Sequence, residues 1–490
     1  MNAVPLTALL LLGAQVATAV ASAPPNVVIV LIDDMGYADI GPFGRPAYPT
    51  PNLDRMAAEG RVFTDFHAAS AVCSESRAAL LTGCYPPRVN IRGALFGGDA
   101  VGLHRDEVTI AEVCKTEGYA TACVGKWHLG DKPEFFPSSQ GFDEWFGLPY
   151  SNDMWPYKSG EHTLEAGVKQ RNGRDYDPLP LYAGDAVVDP DVTPDDQKLL
   201  TKRYTERAVG FIERHAGERP FFLYLPHTMV HVPLYASDDF DGKSGAGVYG
   251  DVVMEIDWSV GQIMEALKRT GVDGNTLLVF TSDNGPWLKY GDHGGSAAPL
   301  REGKNTMWEG GHRVPCIMRW PARISAGSEC DALLTALDLL PTIARAIGAE
   351  LPDRVIDGED ALAVIVGEDN ASPREVFYGY HLGGLKAVRD PRWKLVLPHR
   401  YDSIVGGTPG ADGRPGRYAP TGAGLELYDL DADVTETNNV AEEHPGVVAR
   451  LLAVAEAARA ELGDRLTDRK GKGVRPVGRV EPFDPIEPQP

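Results

Sequence analysis

Four stretches of this chain are apolar almost from end to end and then stop on charged or amide side chains. Residues 26–32 (Asn-Val-Val-Ile-Val-Leu-Ile) run into Asp33 and Asp34. Residues 119–125 run into Lys126 and His128, residues 220–225 into a segment holding His227 and His231, and residues 276–281 into Asp283 and Asn284. A β-branched run without polar alternation suits a strand buried on both faces, as in a parallel sheet covered by helices. The segments between read as helices. Residues 50–60 carry Pro51 at the first helical position, Thr109 and Glu112 have capping-box spacing, and residues 193–216, 250–270 and 337–348 follow. A further strand is expected at residues 314–320. Strands alternating with helices predict an α/β fold, a large doubly wound and mostly parallel sheet with helices on both faces. Such sheets place ligands beyond the C-terminal ends of their strands, where the polar residues gather here.

With 490 residues the chain has room for that domain and a smaller one. After residue 365 the texture changes. Short strands are expected at residues 376–381, 385–388, 393–397 and 425–430, a Gly/Pro-rich loop at 408–420 and a helix at 444–462. This predicts a smaller C-terminal antiparallel sheet packed with a helix. The expected organisation is a signal peptide over 1–23, a catalytic domain over 24–365, an α+β subdomain over 366–462 and a poorly ordered tail over 463–490. The signal rests on the apolar residues 6–14 and the small-residue site Ala21-Ser22-Ala23. That run is short for a membrane span, so the expectation is an exported protein, periplasmic or secreted, with no membrane span. A formal net charge of −22 excludes general nucleic-acid binding but leaves room for a local cationic site. Six cysteines are too few for a disulfide scaffold and lack the paired CxxC spacing of a zinc site. Cys114 with Cys123 is the one disulfide expected. Oligomeric state is not readable.

The stretch from Cys73 to Gly83 (Cys-Ser-Glu-Ser-Arg-Ala-Ala-Leu-Leu-Thr-Gly) reads as a helix with Cys73 at its start and Gly83 as its stop. Cys73 and Arg77 lie four residues apart, on one helix face, and a helix N-terminus suits a bound oxyanion. Asp33, Asp34, Asp283 and Asn284 offer hard oxygen ligands of the kind that favour Ca²⁺ or Mg²⁺. Arg77, Lys126, His128, His231 and Lys304 would form a cationic cluster beside such a metal. A site of that kind binds a tetrahedral oxyanion and stabilises charge that moves in the transition state.

These motifs, in this order, resemble the sulfatase family of the alkaline phosphatase superfamily, most closely arylsulfatases and N-acetylgalactosamine-6-sulfatases. The resemblance covers most of residues 26–430. It rests on Asp33-Asp34, Cys73-Ser-Glu-Ser-Arg77, Gly125-Lys126-Trp127-His128-Leu129-Gly130, Gly141-Phe142-Asp143 leading to Pro149-Tyr150-Ser151, His231-Val232-Pro233, Ser282-Asp283-Asn284-Gly285 and Gly303-Lys304 through Glu309-Gly310-Gly311. It implies that Cys73 is oxidised by a formylglycine-generating enzyme to formylglycine, whose hydrate is the nucleophile. It implies one Ca²⁺ per subunit held by Asp33, Asp34, Asp283, Asn284 and residue 73. Arg77, Lys126, Ser151 and Lys304 would bind the hydrate and the sulfate. His231 would be the acid for the leaving alcohol, with His227 a rival, and His128 the base that triggers sulfate release. The implied substrate is a sulfated small molecule or glycan. Two other readings are a phosphonate monoester hydrolase or phosphodiesterase of the same superfamily, and a non-catalytic sulfoglycan-binding relative with Cys73 unmodified. The maturation motif of the family has Pro, Ala or Ser two residues after the cysteine; here Glu75 stands there, an acid suited to a helix N-terminus.

Overall fold

The structure is a computed structural model that describes residues 23–157 and 176–480. Nearly all of the signal segment (residues 1–22) and the last ten residues lie outside the described residues. Among the described residues no helix is long and apolar enough to cross a membrane.

The centre is a ten-stranded sheet. Its middle strands, Thr276–Ser282, Asn26–Ile32, Phe221–Pro226, Ala120–Val124 and Glu144–Gly147, pair in parallel in that order. Antiparallel strands flank them on both sides, and Ser328–Cys330 adds a tenth strand at one edge, in parallel with Arg61–Phe63. Cys316–Arg319 and Arg61–Phe63 lie on one side, and Leu181–Ala183 and Ala186–Asp189 on the other. Asn26–Ile32 shows why its sequence is apolar throughout. Val27, Ile29 and Leu31 enter one hydrophobic core, while Val28, Val30 and Ile32 enter the other. Helices Pro51–Glu59, Leu200–His215 and Val248–Arg269 cover the second face. Cys73–Thr82, Ile110–Thr116 and Leu339–Ile347 cover the first. The capping box at Thr109 and Glu112 forms as expected. The helix expected over 193–216 is instead two, Pro194–Gln197 and Leu200–His215.

A four-stranded antiparallel sheet follows, Phe377–His381, Gly384–Arg389, Trp393–Val396 and Glu426–Asp429, with helix Pro445–Leu462 on it. Its core also takes in Ala71 and Ala79, from the turn before and the helix after Cys73. Buried charge adds to this junction. Arg389 donates to both carboxylate oxygens of Asp65 (3.1 and 2.9 Å) and to Glu309, and Lys394 donates to Glu309.

Three expectations need correction. Residues 408–420 are not simply a loop. They include the ends of a hairpin, His399–Thr408 paired with Arg417–Ala423. The stretch from Gly463 is not a loose tail as far as residue 480. Gly478–Arg479 pairs with Val101–Gly102, and Arg475 donates to Glu107 at 2.6 Å. Cys114 and Cys123 form no disulfide; all six cysteines are free and buried. One of the pair sits in a helix and the other in the central sheet, each packed in apolar surroundings.

The helix Cys73–Thr82 is buried along its whole length and ends at Gly83, whose φ of 64° lies in the left-handed region. Val72 gives its start no side-chain cap. Side chains of the first turn instead tie this helix to its surroundings. Ser74 Oγ accepts from the Leu95 N–H at 3.0 Å. Glu75 Oε1 accepts from the Gly93 N–H at 2.6 Å and the Leu382 N–H at 3.0 Å, while Oε2 accepts from the Ser70 hydroxyl. Glu75 therefore fastens the Cys73 helix to the 93–95 loop and to the second sheet at once. Glu75→Ala is expected to cost roughly 3 kcal/mol, because two buried N–H groups would lose their acceptor. Urea unfolding would read this as a lower midpoint, with a smaller drop for Glu75→Gln, which keeps an acceptor oxygen. An unchanged midpoint for the alanine variant would contradict the role.

Candidate active site

The parallel strands deliver their polar residues to one edge, as the sequence pattern predicts. Asp33 and Asp34 follow Asn26–Ile32, and Asp283 and Asn284 follow Thr276–Ser282. Lys126 and His128 follow Ala120–Val124, Ser151 lies four residues after Glu144–Gly147, and His231 lies past Phe221–Pro226. Asp34 and His128 both have φ of 62°, a left-handed conformation uncommon outside glycine that re-aims each side chain at the end of its strand. Lys304 arrives on a loop tied down by its own N–H to Pro286 and by the Asn305 N–H to Ala71, just before Cys73.

These residues meet. Cys73 Sγ lies 3.3 Å from Asp33 Oδ1, 3.9 Å from Asp34 Oδ1 and 3.3 Å from Lys304 Nζ. Arg77, one turn along, donates to Asp283 Oδ2 at 2.9 Å and to the Lys126 carbonyl at 2.6 Å, and lies 3.3 Å from Asp33. Lys126 donates to Asp33 and, at 3.1 Å, to Ser151 Oγ. Lys304 grips both oxygens of Asp34 (2.6 and 2.8 Å). His231 Nε2 lies 3.6 Å from Asp34 Oδ2. All of these side chains are buried.

The histidine tautomers follow from their partners. His128 Nε2 lies 2.8 Å from the Leu95 carbonyl, which can only accept. The proton is therefore on Nε2, leaving Nδ1 as a bare lone pair with no partner among the described residues. His231 Nδ1 lies 2.6 Å from the Val232 carbonyl, so Nε2 is the nitrogen that faces Asp34. Burial, helped by Lys126 and Arg77 at His128 and by Lys304 at His231, pushes both imidazoles well below their ordinary range. His227, the rival to His231, instead has its Nε2 3.1 Å from Ser259 Oγ, on helix Val248–Arg269 of the second face.

The donor set fits a hard divalent cation. Burial, with Asp33 and Asp283 adding to it against Lys304, pushes the Asp34 carboxyl up to about 7. Asp33 is equally buried, yet Lys126 and Arg77 overcome this and hold its carboxyl well below the usual range. Asn284 donates to Asp34 at 2.7 Å while its own Oδ1 is buried without a hydrogen bond among the described residues. Ligand atoms of Asp33, Asp34, Cys73 and His231 lie within 4.8 Å of one another. Asp33, Asp34 and Asp283 balance Arg77, Lys126 and Lys304 in formal charge. An anionic substrate thus meets no excess positive charge here until a divalent cation joins the set.

Sequence reasoning missed several neighbours. Asp153, two residues after Ser151, lies half-buried near it and Lys126, and desolvation raises its pKa. The Trp287 ring lies 5.4 Å from that of His231, and Lys304 Nζ lies 4.6 Å from its centre. The Leu95 carbonyl fixes the His128 tautomer. Only adjacency to Ser151 and to Asn284 could have flagged Asp153 and Trp287, and nothing in the sequence flags Leu95.

Known proteins share this frame. Residues 25–349 match the sulfatase family model, and residues 302–403 match that of the N-sulphoglucosamine sulphohydrolase C-terminal region. Arylsulfatase A of Bos taurus is 40% identical over 393 residues, 76% of this chain and 75% of that protein. Arylsulfatase G of Rattus norvegicus is 36% identical over 480 residues, 91% of this chain and 88% of that protein. Among solved structures, the PsFucS1 sulfatase from Pseudoalteromonas sp. is 29% identical with a TM-score of 0.79, covering 89% of this chain and 90% of that one. With its strand-end acids, Cys73 helix and overall fold, the chain belongs to the sulfatase family of the alkaline phosphatase superfamily, enzymes that hydrolyse sulfuric esters.

Proposed function

We propose that the protein hydrolyses the sulfate ester of an aryl or carbohydrate alcohol, using residue 73 as formylglycine hydrate. The observation that carries this reading is the setting of Cys73. Its thiol is buried against the Asp33 carboxylate, and burial followed by Asp33 pushes its pKa well up. Reactive thiols need the opposite surroundings. A diol carbon at the same place would have hydroxyls within reach of Asp33 and Lys304.

Each group then has work suited to its position. One hydroxyl of the hydrate passes its proton to the Asp34 carboxylate, 3.9 Å from the position of the Cys73 sulfur, and attacks sulfur, and the bond from sulfur to the alcohol oxygen breaks. The departing oxygen takes that proton through His231 Nε2, which faces Asp34 at 3.6 Å and is unprotonated at rest because Nδ1 carries the ring's proton to the Val232 carbonyl. The second hydroxyl of residue 73 then gives its proton to His128 Nδ1, the bond from carbon to the sulfate oxygen breaks, and the aldehyde and inorganic sulfate separate. Water restores the hydrate. This divides one difficult displacement into two easier steps. Lys126, Lys304 and Ser151 bind the sulfate and the hydrate, and Arg77 holds Asp283 and balances charge next to residue 73. Asp33, Asp34, Asp283, Asn284 and residue 73 would hold Ca²⁺, which supplies Lewis-acid polarisation of the sulfate when bound.

Cys73 and Glu75 are 2% and 1% exposed, so the formylglycine-generating enzyme must act before this helix docks. That timing agrees with modification during export through a secretory route.

The reaction class is tested by comparing kcat/KM for an aryl sulfate with that for an aryl phosphodiester. The sulfate is expected to be preferred, and faster phosphodiester cleavage would overturn the reading. Asp283→Ala, which removes a ligand and the Arg77 partner together, is expected to lose bound calcium by elemental analysis. Its activity should fall beyond the roughly 100-fold that outer-shell losses cost. Full activity after exhaustive chelation would contradict the metal's role.

A further inference from the structure

Beside the site lies a cleft of about 850 Å³, within the size range of roughly 300–1,000 Å³ usual for ligand pockets. One wall is the residues that follow Lys304, whose Nζ is 3.3 Å from Cys73. Another is the second sheet, through His381 and Lys386, and the third is the hairpin, through His399, Arg400 and Tyr401. The hairpin is the segment read from sequence as part loop, and the catalytic steps above leave it without a task.

The lining is basic in a chain whose net charge is −22. Lys386, Arg400, His381 and His399 face one carboxylate, Asp402. Among the described residues, Lys386 and Arg400 make no salt bridge or side-chain hydrogen bond that would hold them in place. His381 is 4% exposed, and its Nδ1 has no hydrogen-bond partner, the nearest carboxylate oxygen being Glu75 Oε2 at 3.7 Å. His399 donates from Nδ1 to the Leu397 carbonyl at 2.7 Å, which leaves Nε2 for a ligand. Burial, then Lys386 and His381 against Glu426, lowers the His399 pKa. Lys386 and Arg400, two cations without a salt bridge among the described residues at a cleft whose lining holds one carboxylate, attract an anion, and its low-dielectric walls strengthen that attraction. Tyr401 and Tyr418 also line the cleft.

We propose that this cleft binds a second anionic group of the substrate, on the sugar ring next to the one that carries the reacting sulfate. The natural substrate is then a polyanionic sulfated glycan rather than a simple aryl sulfate. The inference rests on the sulfatase reading above and narrows its substrate class. A carboxylate and a second sulfate share the chemistry that these residues recognise.

The test uses three disaccharide sulfates that differ only on the second ring: a carboxylate, the same carbon reduced to the alcohol, and a sulfate ester. The readout is the ratio of kcat/KM for each charged form to that for the neutral one. A ratio of roughly ten is expected, since a charge-assisted contact is worth about one decade or more. It should shrink as salt rises. In the Lys386→Ala, Arg400→Ala double variant the ratio should fall to near one, through KM rather than kcat. Whichever charged form gives the larger ratio identifies the group. Equal turnover of charged and neutral forms by the unaltered enzyme overturns the proposal, as does a ratio that survives the double substitution. If no sulfate ester is turned over, the sulfatase reading fails, and calorimetry with the Cys73→Ala protein still decides the cleft. Tighter binding of the charged disaccharides supports it, and equal affinity overturns it.

Discussion

Everything at this site depends on keeping opposite charges together in a dry place. Asp33 lies between Lys126 and Arg77 with no solvent exposure, and Asp34 and Asp283 are held in the same way by Lys304 and Arg77. Any one of these groups alone would be costly to bury, and a broken pair leaves an uncompensated charge. The protein meets that cost by assembling the set at the ends of adjacent parallel strands, where the backbone positions are fixed by apolar packing on both faces. Rigid placement is what a transition-state binding site requires, because prearranged charge needs no reorganisation during the reaction.

The Cys73 helix is the element that has to be held against this cluster, and it is held from the side opposite the strands. Ser74 and Glu75 bind the 93–95 segment, and the Leu95 carbonyl in turn fixes the His128 ring. The same Glu75 carboxylate receives the Leu382 N–H of the second sheet. The C-terminal sheet is thus part of the support for the nucleophile, and it also forms one wall of the basic cleft, the hairpin forming another. Glu75, which departs from the family's usual residue, is explained by this structural work more fully than by the helix dipole.

Much of this was legible in the sequence for a physical reason. A strand buried on both faces must be apolar throughout, so its end is marked by the first polar residue, and those residues proved to be neighbours. The spacing of Cys73 and Arg77 likewise placed both on one helix face. What could not be read depends on contacts between distant segments. Ser70, Gly93 and Leu382 converge on Glu75 from three parts of the chain, and no periodicity announces that. The hairpin His399–Thr408 with Arg417–Ala423 is rich in Gly and Pro and resembles a loop by composition. Residues 463–480 resemble a disordered tail for the same reason, yet are anchored by one short strand pair and by Arg475 on Glu107. The expected Cys114–Cys123 disulfide rested on proximity in the chain alone, while both thiols are free, one on helix Ile110–Thr116 and the other on strand Ala120–Val124, within one apolar core.

The central claim is that residue 73 works as an aldehyde hydrate in spite of Glu75 in the maturation motif. Mass spectrometry of the peptide spanning Cys73, from protein produced in its native host, tests it most directly. The account predicts that residue 73 is formylglycine or its hydrate. An intact cysteine thiol throughout the sample would contradict it.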